Sequence, residues 1–171
     1  MTFQNNYLFE ALDAYPYDLV QTIESLNYAL AYNENDPYAL CLMGRVYAEQ
    51  LEQFETAKSY FQKALEIDIY TLYIYPHYIK VLLQNEDYKE AAKLIEFALK
   101  IKGIDKGLMW QKKALLYECL KMYENALFCL KKARRFGYNS DFLAFLDREK
   151  ERIQLHQKDF KPKKRKKVKN K

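Results

Sequence analysis

Alanine returns at a fixed interval along this chain. Ala29, Ala64, Ala98 and Ala133 each sit with helical partners, and the gaps between them are 35, 34 and 35 residues. Self-similarity at a period of this length marks a repeat architecture. A single helical hairpin cannot bury its own apolar stripe, so neighbouring hairpins stack to make a continuous core. Punctuation is sparse: 4 Gly and 4 Pro in 171 residues leave few stops, which favours helices joined by short turns.

Two stretches give the repeat its detail. In the stretch from Trp110 to Ala133, Trp110, Ala114 and Tyr117 share one helical face. After the polar turn Lys121-Met122, Tyr123, Ala126, Leu130 and Ala133 share another. Large residues therefore meet small ones where two helices cross. In the second stretch, Asp36 caps a helix that Pro37 opens. Leu40, Met43, Gly44 and Tyr47 then face Ala57, Phe61 and Ala64, across a loop at Leu51-Glu52-Gln53 one residue longer than usual. This spacing resembles the tetratricopeptide repeat (TPR) family. The resemblance runs over residues 3–158 and is most specific in 37–68 and 88–136. It implies an all-α, right-handed TPR-type solenoid of about four hairpins with a C-terminal capping helix.

The expected segments follow from that period. Residues 1–35 form a divergent N-terminal hairpin, with helices over Phe3–Ala14 and Tyr17–Tyr32 separated by Tyr15-Pro16. Leu8, Ala11 and Leu12 of the first helix and Val20, Ile23, Leu26, Ala29 and Leu30 of the second are expected to face inward. Three repeats occupy 36–70, 71–104 and 105–139. The middle one departs from the pattern: Tyr70–Tyr75 is rich in β-formers, Pro76 follows, and Ile79 replaces the small residue. Its first helix is expected to start late or to be distorted. Gly137 is expected to end the last hairpin in a left-handed cap. Residues 140–160 read as the capping helix, with Phe142, Leu143, Phe145, Leu146, Ile153 and Leu155 as its apolar side. Residues 161–171, basic and without core residues, read as a disordered tail.

Charge is distributed unevenly. Residues 1–56 carry nine acids and one base, residues 57–160 nineteen bases and fourteen acids, and residues 161–171 eight bases and no acid. An acidic front and a basic back raise head-to-tail self-association as one outcome. The three cysteines, Cys41, Cys119 and Cys129, form no C-x-x-C pair, which argues against a zinc site or a disulfide framework. The first residues lack the basic and apolar regions of a signal peptide, and no apolar run is long enough for a membrane span. A cytoplasmic protein is expected, or a nuclear one in a eukaryote.

The sequence shows no phosphate loop, no H-E-x-x-H and no His at motif spacing from a nucleophile, so neither catalysis nor a cofactor is expected. The resemblance implies a protein-interaction scaffold holding a peptide segment of a partner in a concave groove. Carried over from the family, groove positions fall on Tyr38, Cys41, Arg45, Ala48 and Glu49, then on Tyr73, Pro76, Lys80, Leu83 and Gln84. In the last repeat they fall on Leu108, Gln111, Leu115, Glu118 and Cys119. Tyr38 and Tyr73 offer flat contact area, and Arg45 and Lys80 suit a carboxylate. The Lys, Asn and Arg set with which chaperone-tail-binding members grip a carboxylate is kept in neither possible frame. A second binding element is the tail, where Lys163, Lys164, Arg165, Lys166 and Lys167 suit RNA or another polyanion and also resemble a nuclear import signal.

Overall fold

Aspartate side chains start three of the helices. Asp18 Oδ1 accepts from the Gln21 amide at 2.9 Å, Asp36 Oδ1 from the Tyr38 and Ala39 amides at 2.9 and 3.2 Å, and Asp105 Oδ1 from the Leu108 amide at 2.9 Å. Each satisfies a donor that an isolated helix end leaves orphaned. The computed structural model of the chain describes residues 6–137 and 139–160. Among these are nine α-helices and no strand: α1 (Asn6–Ala14), α2 (Leu19–Tyr32), α3 (Pro37–Glu49), α4 (Phe54–Ile67), α5 (Ile74–Gln84), α6 (Tyr88–Ala98), α7 (Lys106–Cys119), α8 (Tyr123–Arg134) and α9 (Ser140–Phe160). They form two compact units, one ending at Ile104 and the other starting at Asp105.

In the first unit, α1–α6 pair as three hairpins. Ala29, Ala64 and Ala98 are all fully buried. Three residues before each stands a buried large side chain, Leu26, Phe61 or Ile95, and seven before each a small buried one, Thr22, Ala57 or Ala91. The first hairpin is thus less divergent than its sequence suggests, with Thr22 in an alanine's place. Its hydroxyl donates to the Asp18 carbonyl at 2.6 Å, which removes the cost of burying it. Two expected core residues turn outward: Leu12 is 40% exposed and Val20 is 79% exposed. Val20 lies nine residues from Ala29, about half a turn round the helix, so it faces away from the packed side.

The middle hairpin explains its own irregular sequence. Asp68 accepts from the Tyr70 amide and from the Thr71 hydroxyl, both at 2.8 Å, and the buried Tyr75 donates its hydroxyl to the Ile69 carbonyl at 2.7 Å. These bonds hold residues 69–73 as a turn despite their β-forming composition. Helix α5 starts at Ile74, and Pro76 falls in its first turn, where a missing amide costs nothing. A Cβ on Gly44 of α3 would lie 3.1 Å from the Phe61 ring and 3.2 Å from the Ala57 carbonyl. The buried Ile79 takes the matching place in α5, and α5 and α6 approach over less of their length than α3 and α4. Lys58 of α4 ties the two hairpins together through Asp87 at 2.7 Å, a bond that pushes its pKa up to about 12.

Within each regular repeat the chain turns through a left-handed residue that is not glycine: Glu52 (φ 53°), Glu86 (φ 61°) and Lys121 (φ 59°). The Asp87 amide reaches back to the Leu82 carbonyl and the Met122 amide to the Tyr117 carbonyl, both at 2.8 Å, as in a Schellman close. The longer first loop shows as the Gln53 amide reaching one residue further, to the Tyr47 carbonyl at 2.9 Å.

In the second unit, α7 and α8 cross at Ala114, Ala126, Leu130 and Ala133, and Leu146 and Ile153 of α9 complete that core. Leu155, expected on the apolar side of α9, is 59% exposed. Gly137 is not a left-handed cap. Its role is close approach: a Cβ there would lie 2.7 Å from Leu143 and 3.3 Å from the Phe142 ring, so the glycine makes room for α9. The left-handed glycine is Gly103, at φ 89°. Residues 1–5 and the tail lie outside the described residues, as does the expected helix start at Phe3.

The Gly44 crossing yields a stability prediction. Gly44→Val forces a branched side chain against Phe61 and the α4 backbone, and should cost about 1–3 kcal/mol, read as a lower midpoint in urea unfolding with an unchanged slope.

Candidate functional site

The candidate site is built on α3 and α5 of the first unit. One helical turn separates Arg45 from Glu49, and Arg45 Nη2 lies 3.5 Å from Glu49 Oε2. Arg45 Nη1 donates to the Tyr73 hydroxyl at 2.6 Å, and its guanidinium carbon lies 4.7 Å from the centroid of the Tyr15 ring. Lys80 Nζ approaches the other oxygen of Glu49 at 3.0 Å. Tyr15, from the turn after α1, donates its hydroxyl to Glu49 as well. One carboxylate therefore gathers two cations and a phenol from three different hairpins, and leaves one positive charge in surplus.

Burial sets the electrostatics. Desolvation works against the charge on Glu49, but the bonds from Tyr15 and Lys80 and the charge of Arg45 outweigh it and hold the carboxyl below its ordinary pKa. Desolvation likewise works against the Arg45 charge, and Tyr73, Glu49 and Tyr15 outweigh it, so its pKa is raised. Burial and the Glu49 bond raise the Tyr15 pKa. One donor is left over: Arg45 Nε is buried and has no hydrogen-bond partner.

Aromatic rings flank the cluster. The Tyr38 and Tyr73 rings lie 6.4 Å apart, and the His77 ring lies 4.8 Å from Tyr73. Tyr38 is 51% exposed and Tyr73 39%. Gln84, at the end of α5, is also exposed. Cys41 is different: it is fully buried, and burial pushes its thiol up to about 12. It packs beneath this face and does not reach it. Sequence reasoning missed Tyr15 and did not recognise Glu49 as the hub. Tyr15 stands 34 residues from Glu49, and no local pattern signals the bond.

Gln111 and Glu118 lie in the second unit, and α9 takes both. Gln111 is buried, with its amide 3.5 Å from Glu149. Glu118 accepts from Arg152 at 2.7 Å and lies 3.0 Å from His156 Nδ1, while Arg152 also bonds Glu149 at 2.8 Å. The face of α7 carrying these side chains is thus engaged by the capping helix of its own unit. Lys163, Lys164, Arg165, Lys166 and Lys167 lie outside the described residues. Among the described residues, no three His, Cys, Asp or Glu are grouped to hold a metal ion, and no helix is long and apolar enough to cross a membrane.

Hairpins that cross at small residues every 34 or 35 positions define an all-α helical-repeat protein of the solenoid class. Residues 37–68 match the tetratricopeptide repeat family, and the fold of the chain is that of TPR proteins. PilF from Pseudomonas aeruginosa aligns at 17% identity over 93% of this chain and 77% of its own, with a TM-score of 0.72. MamA from Desulfovibrio magneticus RS-1, from residue 41 to its end, aligns at 19% identity over 91% and 89%, with a TM-score of 0.65. A thermophilic TPR protein from Thermus thermophilus aligns at 15% identity over 88% and 98%, with a TM-score of 0.53. No curated protein sequence matches the chain.

The Glu49 hub predicts a pH dependence. A carboxyl with a lowered folded pKa adds stability above its unfolded pKa, about 4.3, and loses it as pH falls through the folded value. Glu49→Gln should therefore lower the melting temperature at pH 7, by a loss of about 1–3 kcal/mol. The gap from the parent should narrow steadily as melting is followed below about pH 4.

Proposed function

We propose that this chain is a non-catalytic protein-interaction scaffold and that the α3–α5 face of its first unit holds a peptide segment of a partner. The observation carrying the reading is the pair of exposed rings, Tyr38 and Tyr73, beside an arginine already fixed in place by Glu49 and Tyr73. Rigid tyrosines supply contact area at low entropic cost, and a pre-ordered guanidinium loses little freedom on binding. Because Glu49 neutralises one of the two cations, the face favours a peptide with a single carboxylate near an apolar side chain over a polyacidic one. Gln84 extends the face along α5. In this reading Gln111 and Glu118 serve the α7–α9 contact, and Cys41 supports the face from below. A buried thiol with a raised pKa is the reverse of an activated nucleophile, which agrees with a binding role.

The test uses the exposed residues of the face, whose replacement leaves the core intact. The immobilised chain should select peptides from a displayed random library, with a carboxylate next to a large apolar residue. Tyr38→Ala should weaken the selected peptides at least about tenfold. Unchanged affinity would remove the site from this face.

A second reading rests on the tail, where eight bases and no acid follow residue 160. We propose that it associates with RNA or another polyanion through counterion release. Retention on heparin should fall steeply with salt, and removal of 162–171 should both weaken it and flatten that salt dependence.

A further inference from the structure

Two surfaces remain without a role in the scaffold reading. The first is the outer stripe of α2. Val20, Glu24 and Tyr28 follow one another at one-turn spacing, and Val20 and Tyr28 are exposed by 79% and 52%. With Ile23 and Asn27 they line a shallow depression on the helix. Tyr17, just before α2, is 93% exposed. The surroundings are acidic, because no Lys or Arg precedes Arg45 in the chain.

The second surface lies between α8 and α9 in the other unit. A groove of about 480 Å³ has Leu127, Leu130 and Leu146 as its floor and Lys131, Arg134 and Lys150 on its rim. Arg134 is paired with Asp147 at 2.7 Å. Lys131 and Lys150 are exposed and make no ion pair among the described residues. The groove is therefore apolar at its base and carries two unbalanced positive charges at its edge.

We propose that the chain associates head to tail, with the α2 stripe of one copy seated in the α8–α9 groove of the next. The two surfaces match in kind. Val20 and Tyr28 cover the three leucines, and Glu24 meets Lys131 and Lys150. An amphipathic helix laid in an apolar groove is an established recognition mode, read here through positions i, i+4 and i+8. Because the two surfaces differ, each contact leaves one of either kind open, and assembly continues beyond a dimer. Neither surface includes a residue of the α3–α5 face, so this inference and the peptide site fail independently.

The test is light scattering on the full chain across a wide concentration range at low and high salt. The average mass should rise past that of a dimer with concentration, and should fall as salt screens the charges. Glu24→Lys alone should reduce association at least about tenfold, as should Lys131→Glu combined with Lys150→Glu. These positions lie on the surface, and an unchanged circular dichroism spectrum confirms that the fold is kept. Mixing the two variants should restore association, since each then supplies the charge that the other lacks. A parent chain that stays monomeric at every concentration would overturn the proposal. So would charge reversals without effect, or a mixture that stays monomeric, which would leave an unrelated acidic helix as the groove's occupant.

Discussion

The close crossing of helices at residues no larger than alanine is what the rest of the structure depends on. At Ala29, Ala64, Ala98 and Ala133 the side chain ends at Cβ and is fully buried. A large residue one turn earlier, Leu26, Phe61, Ile95 or Leu130, fills the space beside each contact. Neither size works without the other. A large residue at the alanine position would hold the helices apart, and a small one at the leucine position would leave a void whose lining loses its contacts. The middle hairpin shows the limit of tolerance. With Ile79 where α3 has Gly44, α5 and α6 meet over less of their length, and the shorter helices of that hairpin go with the looser crossing.

This packing also places the polar cluster. Glu49 closes α3, Lys80 stands on α5, and Tyr15 follows α1, so stacking three hairpins brings all three together. Were the hairpins shifted by one turn, about 5.4 Å, the carboxylate would lose both its lysine and its phenol. The cluster therefore reports the register of the stack as well as its charge.

Local signals were the legible part of the sequence. The cap at Asp36, the small residues at the crossings and the late start of α5 all depend on neighbours a few residues away. Rotation about the helix axis was harder to read. Val20 is as apolar as Ile23, but nine residues from Ala29 puts it on the opposite side, and composition carries no such information. Gly137 was misjudged because glycine has two uses, a left-handed bend and the room left by its missing Cβ, and only tertiary packing against Phe142 and Leu143 separates them. The partners of Gln111 and Glu118 were hidden for a similar reason. The repeat pattern places those residues on α7, but says nothing about where a capping helix comes to rest.

The same limit shapes what the cations on α3 and α5 can do. Counted from sequence, Arg45 and Lys80 form a basic surface. In the folded chain they share Glu49, which neutralises one of the two charges. A ligand carboxylate approaching Lys80 competes with a carboxylate already 3.0 Å away, so the ion pair it makes adds little net free energy. What remains for binding is the area of the tyrosine rings and the shape held by the cluster. In the proposed peptide site, charge would therefore serve orientation, setting which end of a peptide lies near Lys80. Affinity in that reading comes from an apolar side chain laid against Tyr38 and Tyr73. A partner segment for the proposed site is then defined more by its aromatic or aliphatic anchor than by its acidity.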